Sequence, residues 1–453
     1  MNLPNYFLAD LPPEATLTPS MIAEACQTLK RNREQYLAAR STSHLVKVIG
    51  ETTENWLQPD YPFRRLALEV GPSVTGFPHA TLVRGLDAFF RELTRENLHA
   101  LLVQELGHAH RLDEMSAPAA ESKLDRAAMA RGPELLAHFA AGNIPSPTLL
   151  SIVLGLLVRS AQFVKCSSGT SFLPRLFAHS IYEADPKLAS CLELAEWRGG
   201  DPALEESLFA EADCVTATGS DETLASIQQR LPRRARFLGH GHRVSFGYVA
   251  HGVLSGFGLK KVVTRAAEDV IAWNQLGCLS PHLIYVETGG AISPEQFAEN
   301  LAEALALYEA NEPRGEIGVE DAAIIASRRD FYGVRAAAST DTRLWCSDNS
   351  TAWTVVHEAD ARFQLSCLHR FVYVKGVANL AEALRQAESV RGQVSTVGLA
   401  APDDQSQSLA TELARWGVTR VCPLGQMQNP PLTWRHDGRP ALGDLITWTD
   451  WEQ

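Results

Sequence analysis

The chain has 453 residues, enough for two or three packed units rather than one. Hydrophobic residues make up 45% and charged residues 21%, which excludes a largely disordered chain. The net charge of −12 excludes a general polyanion binder, so nucleic acid is not an expected partner, although a local basic pocket can still hold a phosphate group.

The N-terminus, "MNLPNYFLADLPPEATLTPS", has no basic segment leading into an apolar core, so no signal peptide is expected. Residues 1–140 read mainly as helix, as in "PSMIAEACQTLKRNREQYLAAR" and "HATLVRGLDAFFRELTRENLHALLVQEL", with apolar positions three and four apart. The longest apolar stretch, "TLLSIVLGLLV" at 148–158, ends at Arg159 and is too short to cross a bilayer, so no membrane span is expected. From about residue 142 short strands alternate with helices. "AQFVKCS" precedes the helical "SFLPRLFAHSIYEAD", and "ADCVTATGS" precedes "DETLASIQQRL". The second half continues with the helix "TRAAEDVIAWNQLG", the strand "HLIYVET", the helix "PEQFAENLAEALALYEAN", strands near 344–358 and 368–376, and the pairs "NLAEALRQAESV"/"VSTVGLA" and "SLATELARWGV"/"TRVCPLG". This alternation predicts an α/β fold of two doubly wound parallel units behind a helical N-terminal region. The tail "NPPLTWRHDGRPALGDLITWTDWEQ" reads as a segment that returns to cover another part of the molecule. Its Trp434, Trp448 and Trp451 are expected to pack there or on a second subunit.

Eight cysteines lie at 26, 166, 191, 214, 278, 346, 367 and 422, with no C-x-x-C pair and no zinc-type spacing. That scatter predicts reduced thiols and a cytoplasmic setting, with most of them acting as small buried hydrophobes. Cys278, in "WNQLGCLSPHLIYV", has two readings: another core residue, or the reacting atom of an enzyme.

Three strand-exit turns are candidate cofactor or substrate sites. In "TATGSDETL", Thr218, Gly219 and Ser220 stand between a strand and a helix, where free N–H groups and the helix dipole favour a phosphate. Ser220 or Asp221 equally reads as a plain helix cap, and no G-x-G-x-x-G fingerprint is present. In "VKCSSGTS", Lys165 leaves a strand beside Ser168, placed either to bond ribose hydroxyls or a 2′-phosphate, or to serve as a surface lysine. In "AAGNIPSPTLL", Pro145 and Pro147 restrict the backbone around Asn143, whose amide would suit an oxyanion. His240 and His242, in "GHGHR", are candidates for acid–base work or for a structural role. A second H-x-H occurs in "GHAHR" at 107–111, but neither pair has suitably spaced partners, so no metal is expected.

Asn143, Lys165, Thr218–Gly219–Ser220 and Cys278 follow one another in the order and with the separations of the aldehyde dehydrogenase superfamily. More closely, "GNIPSPTLLSIVLGLLVRSAQFVK", "TATGSDETL", "GHGHRVSFGYV", "DVIAWNQLGCLSPHLIYVE" and "WRHDGRPALGDLITWTDWE" resemble the acyl-CoA reductase family, known from the fatty-acid reductase subunits of bacterial luminescence. The resemblance covers roughly residues 140–453 and implies an aldehyde dehydrogenase-like fold. Residues 1–243 would form the helical region and cofactor-binding domain, 244–425 the catalytic domain, and 426–453 a tail packing back on the cofactor domain or a partner subunit.

The resemblance also implies an NADPH-dependent reduction of a fatty acyl thioester to an aldehyde. Cys278 would form an acyl-cysteine, and Asn143 would hold the oxyanion. Lys165, Ser168, Thr218, Gly219 and Ser220 would bind the cofactor. His240 and His242 would exchange protons or contact CoA. NADPH is implied because Cys166-Ser167-Ser168, after the lysine, carries no acid to repel a 2′-phosphate. The water-activating glutamate of hydrolytic relatives is replaced at Phe237 in "RFLGHGHRVSF", which disfavours release of an acid. The alternative is a hydrolytic NAD(P)-dependent aldehyde dehydrogenase using a displaced base such as Glu268, which with Asp269 otherwise reads as an exposed helix face. A non-catalytic scaffold is the third reading. Glu358 falls near the superfamily's ribose-binding glutamate without a clear match. The expected partners are acyl-CoA, an acylated carrier or a partner protein, with a homo-oligomer or a fatty-acid reductase complex as the assembly.

Overall fold

The computed structural model describes residues 3–12, 14–140 and 142–452 of the chain. The chain divides into two compact units. The first comprises Met1–Thr75, Leu86–Gly241 and Pro431–Gln453, and the second Gly76–Gly85 and His242–Pro430. The chain therefore enters the second unit briefly at 76–85, where the break at Gly76–Pro78 between two helices leads into the helix His79–Glu92.

The first unit begins with helices whose ends are written in the sequence. Thr18 caps Pro19–Tyr36, and Ser41 caps Thr42–Trp56. Thr94 caps Arg95–Leu106, which Gly107 then ends at a φ of 73°. Strands start earlier than expected, at β1 (Arg126–Arg131) and β2 (Leu135–Phe139) rather than after 142. The run of β2, "LLAHF", is apolar without alternation because both of its faces are covered. β3 (Ala161–Cys166), β4 (Leu192–Glu196), β5 (Cys214–Thr218) and β6 (Arg236–His240) complete a parallel sheet in the order β4-β3-β2-β5-β6. Chain order reverses at β2, and in such sheets ligands bind beyond the strand C-termini near that reversal. Ile22, Cys26 and Leu29 of the first helix join Leu135, Phe163 and Val215 in its core.

The second unit holds β7 (Val244–Val249), β8 (Pro281–Glu287), β9 (Thr342–Cys346), β10 (Thr354–Glu358), β11 (Phe371–Val377), β12 (Val394–Ala400) and β13 (Arg420–Pro423). Their order is β13-β12-β7-β8-β11-β10-β9, parallel except for β9 at one edge. Every residue of β7 and β8 is buried, which places the strand after Cys278 at the centre of the sheet.

The tail from Pro431 belongs to the first unit, where β14 (Thr447–Glu452) pairs antiparallel with β1. Trp448 and Trp451 on β14 are exposed, and the Arg111 guanidinium lies over the Trp448 ring at 5.2 Å. Among the described residues no helix is long and apolar enough to cross a membrane; "TLLSIVLGLLV" falls in the helix Ser146–Leu157.

Candidate active site

Burial separates Cys278 from the other thiols. Cys278 alone of the eight cysteines is exposed, and all eight lie among the described residues. Burial pushes the thiols of Cys26, Cys166, Cys191 and Cys422 up to about 12 and that of Cys214 up to about 11, so these five stay protonated and inert at neutral pH.

A built loop carries Cys278. The helix Phe257–Ile271 ends in a turn where Trp273, Asn274 and Gln275 take φ values of 48°, 52° and 65°. Three successive non-glycine residues in the left-handed region cost about 1–2 kcal/mol each. Their side chains supply the offset. Trp273 is buried edge-on to Phe77; Asn274 Nδ2 donates to Arg314 O at 3.0 Å, and Asn274 Oδ1 accepts from Arg370 Nη2 at 3.1 Å. Gln275 Nε2 donates to the carbonyls of Pro281 and Phe371, both at 2.8 Å. Beyond this turn, Ser245 Oγ donates to the carbonyl of Cys278 itself at 2.8 Å and accepts from Thr396 N at 3.2 Å.

A second support comes from the segment after β13. Gln428 Nε2 donates to Ser280 Oγ at 2.5 Å, and a Cβ on Gly277 would stand 2.6 Å from that nitrogen. The segment is held in turn by Asp269, which accepts from Gly425 N at 2.5 Å and Met427 N at 2.9 Å. Asp269 is only 1% exposed, so the expected exposed acidic face is corrected: the helix buries it, and burial pushes its carboxyl up to about 7. Glu268 is half-buried beside Lys260, Lys261 and Arg265 and hydrogen-bonds Tyr308. Sequence reasoning missed Ser245, Gln275, Asp269 and Gln428, whose only signal is their polarity next to glycine or in buried surroundings.

In the first unit, the predicted cofactor residues gather at the C-terminal ends of neighbouring strands. Lys165 on β3 stands in register with Phe139 on β2 and Ala195 on β4, and Thr218 on β5 with His240 on β6. Gly219 N donates to His240 O at 3.2 Å. Lys165 is 4% exposed, its Nζ lies 5.7 Å from the Trp197 ring, and burial holds its ammonium below the ordinary value. Ser168 and Asn143 are exposed on the loops after β3 and β2; Ala141, in the same turn as Asn143, lies outside the described residues. Ser220 caps the helix Asp221–Arg230 by accepting from Thr223 N.

Glu196, at the end of β4, was not anticipated. It accepts from Gly169 N at 2.7 Å and Ser171 N at 3.3 Å, and so places a carboxylate under a loop that looked neutral in sequence.

The histidines part company. His240 Nδ1 lies 3.3 Å from Asp437 Oδ2, and its ring stacks on His436. The absence of spaced partners for His240 is thereby corrected: they arrive from the tail, 197 positions on for Asp437, beyond the reach of any spacing rule. His242, exposed in the second unit, adds to the burial that holds His282 down at about 4. Glu358 is buried against Lys375 at 3.4 Å and Arg335, so its carboxylate is engaged within the second unit.

The family model for acyl-CoA reductase (LuxC) matches residues 37–448. The chain belongs to that family. This reductase is 22% identical over 427 residues to the long-chain acyl-protein thioester reductase of Vibrio harveyi, covering 92% of this chain and 84% of that one. It is 26% identical over 367 residues to the enzyme of the same name from Photorhabdus luminescens, covering 80% and 71%. Its activity class is accordingly that of an aldehyde-forming oxidoreductase acting on acyl thioesters.

Solved structures show the fold of the reductase to be aldehyde dehydrogenase-like. The putative aldehyde dehydrogenase PutA of Anabaena variabilis superposes with a TM-score of 0.72 at 16% identity, over 96% of this chain and 93% of that one. The NAD-dependent benzaldehyde dehydrogenase of Corynebacterium glutamicum gives 0.70 at 13% identity, over 97% and 91%. A bifunctional proline utilization A protein gives 0.72 at 16% identity, and this chain spans 45% of its length.

Proposed function

We propose that the reductase acts on a long-chain acyl thioester, carried by CoA or by an acylated protein, through an acyl-cysteine at Cys278. The observation that carries this reading is the single exposed thiol on a loop fixed at Ser245, Gln275 and Gln428. Attack by the thiolate on the thioester carbonyl forms the Cys278 S–C bond and breaks the donor's C–S bond. The amide of Asn143 and a backbone N–H of the nucleophile loop stabilise the oxyanion formed on the way. No carboxylate occurs in 273–286, so nothing on the loop activates water, and the acyl group persists until it is reduced.

The strand ends of the first unit suit a nicotinamide dinucleotide, which supplies hydride when bound. Lys165 offers a buried ammonium over Trp197, with Ser168 beside it, for the adenosine ribose and its phosphate. Thr218 and Gly219 line the edge near the reversal of strand order. Ser167 and Ser168 support NADPH as the favoured form, and the Glu196 carboxylate is turned to two backbone N–H groups. His240 and His242 are the candidates for proton transfer. A complex with an acylated partner subunit would present the donor.

The test is mass spectrometry of wild type and Cys278→Ala mixed with a long-chain acyl-CoA, then with NADPH. The expected result is an acyl mass on Cys278, absent from the variant and discharged as aldehyde by NADPH. No adduct, together with NADP⁺ reduction when aldehyde is supplied, would return the hydrolytic reading.

A further inference from the structure

The tail turn around Asp437 is joined to the end of β6 by several independent contacts. Arg439 Nη1 donates to Gly239 O at 3.2 Å and its Nε to Asp444 at 2.8 Å. Arg236 on β6 donates to the carbonyls of Leu445 and Ile446, both at 2.7 Å. Gln104 Nε2 donates to Thr433 O at 2.8 Å, and Leu432 N to Glu92 at 3.1 Å. Trp434, His436 and His240 then form a column of rings, with centroids 4.8 Å and 4.6 Å apart. Asp437 itself sits at a φ of 54°, in the left-handed region that aspartate adopts more readily than most non-glycine residues. The result is a carboxylate with 2% exposure facing an imidazole with 23%.

The same side chains offer three ligand atoms within 4.8 Å of one another, which raises a cation site. The rings argue against it. They lie 8° from parallel in a stack, and ring-nitrogen lone pairs lie in the ring planes, so the two imidazoles do not aim at a common point. A carboxylate on Nδ1 instead fixes one tautomer and one orientation, and leaves Nε2 for chemistry.

We propose that Asp437 is a positioning residue for His240, holding its Nδ1–H so that Nε2 delivers the proton which thioester reduction consumes. The proposal rests on the thioester-reductase reading. Overall, an acyl thioester, a hydride and a proton give an aldehyde and a free thiol. When the donor's C–S bond breaks, His240 as the imidazolium, protonated at both ring nitrogens, passes its Nε2 proton to the departing sulfur, and the neutral Nδ1–H ring left behind recovers a proton from the solvent. Hydride addition to the acyl carbon then breaks the Cys278 C–S bond and returns the thiolate.

The experiment is a double-mutant cycle with Asp437→Asn and His240→Gln, read as steady-state reduction of an acyl-CoA by NADPH, with ¹⁵N-histidine NMR of the same proteins. Asp437→Asn should lower kcat roughly 10- to 100-fold with little change in the KM for acyl-CoA. It should add no further loss in the His240→Gln background, because it acts through that ring. The neutral His240 ring should carry its proton on Nδ1 in wild type and lose that preference in Asp437→Asn. Penalties that multiply, or an Nε2–H ring in wild type, would overturn the proposal. So would stoichiometric Zn²⁺ retained by wild type, with removal by EDTA reproducing the Asp437→Asn defect. If wild type reduces no thioester, the functional reading fails, while the NMR result still decides what Asp437 does to His240.

Discussion

The amide of Gln428 abuts the glycine that precedes Cys278: its Nε2 bonds Ser280 Oγ at 2.5 Å and would lie 2.6 Å from any Cβ at Gly277. The loop carrying Cys278 is thus wedged from a segment about 150 positions away in the chain. Asp269 keeps that wedge in place through the N–H groups of Gly425 and Met427.

Gly277→Ala must therefore displace either the loop or Gln428. A shift of the thiol by a fraction of an ångström is expected to slow acylation roughly 10-fold or more while the protein stays folded. Gly277→Ala/Gln428→Ala, which removes the opposing amide, should recover part of the rate. Single-turnover mass spectrometry of acyl-Cys278 provides the measurement; a double variant no faster than Gly277→Ala would refute the wedge.

Thiol reactivity should follow burial. Under iodoacetamide at neutral pH, Cys278 is expected to be modified first, while Cys26, Cys166, Cys191, Cys214 and Cys422 resist until the protein unfolds. Peptide mapping over a time course checks this, and early labelling at any of the five would contradict the assignment.

The Asp269 carboxyl rises from its ordinary 3.8 to about 7 through burial, against the opposing pull of its two backbone donors. Between those values the folded state holds a proton that the unfolded chain has released. This group's contribution to stability therefore falls as pH rises through that window and levels off above it. Asp269→Asn lacks the titration, so the Tm advantage of wild type over the variant should shrink from about pH 5 to about pH 8. A gap that stays constant or widens would show that Asp269 does not hold its proton in the folded state.

Glu196 tests the cofactor reading. Its carboxylate bonds the loop that carries Ser168, so Glu196→Gln removes a negative charge near the proposed 2′-phosphate site while keeping an acceptor for Gly169 N. The ratio of kcat/KM for NADPH over NADH should rise roughly 2- to 5-fold, the size of a partly solvated charge interaction. An unchanged ratio would place the 2′-phosphate elsewhere.

Legibility divided along physical lines. Caps such as Thr18 and Ser41, the apolar runs of β3 and β8, and the alternation of strand with helix are local, because a helix end or a buried strand depends on neighbours a few residues away. The early strands β1 and β2 escaped notice because "RAAMAR" and "LLAHF" are short and lack strand-type alternation. The burial of Asp269 was misjudged because its partners are backbone N–H groups 156 and 158 positions away.

By itself the sequence determined the α/β alternation and the strand-exit turns holding Asn143, Lys165 and Thr218, which depend on composition and order that a linear pattern carries; Cys278 stood out only through the resemblance to the acyl-CoA reductase family. Only the tertiary structure decided that Cys278 is the exposed thiol, that Gln428 and Asp269 brace its loop, and that His436 and Asp437 meet His240. Burial and hydrogen bonding between distant segments exist only once the chain has folded, and no spacing along the chain encodes which polar side chains will share one desolvated place.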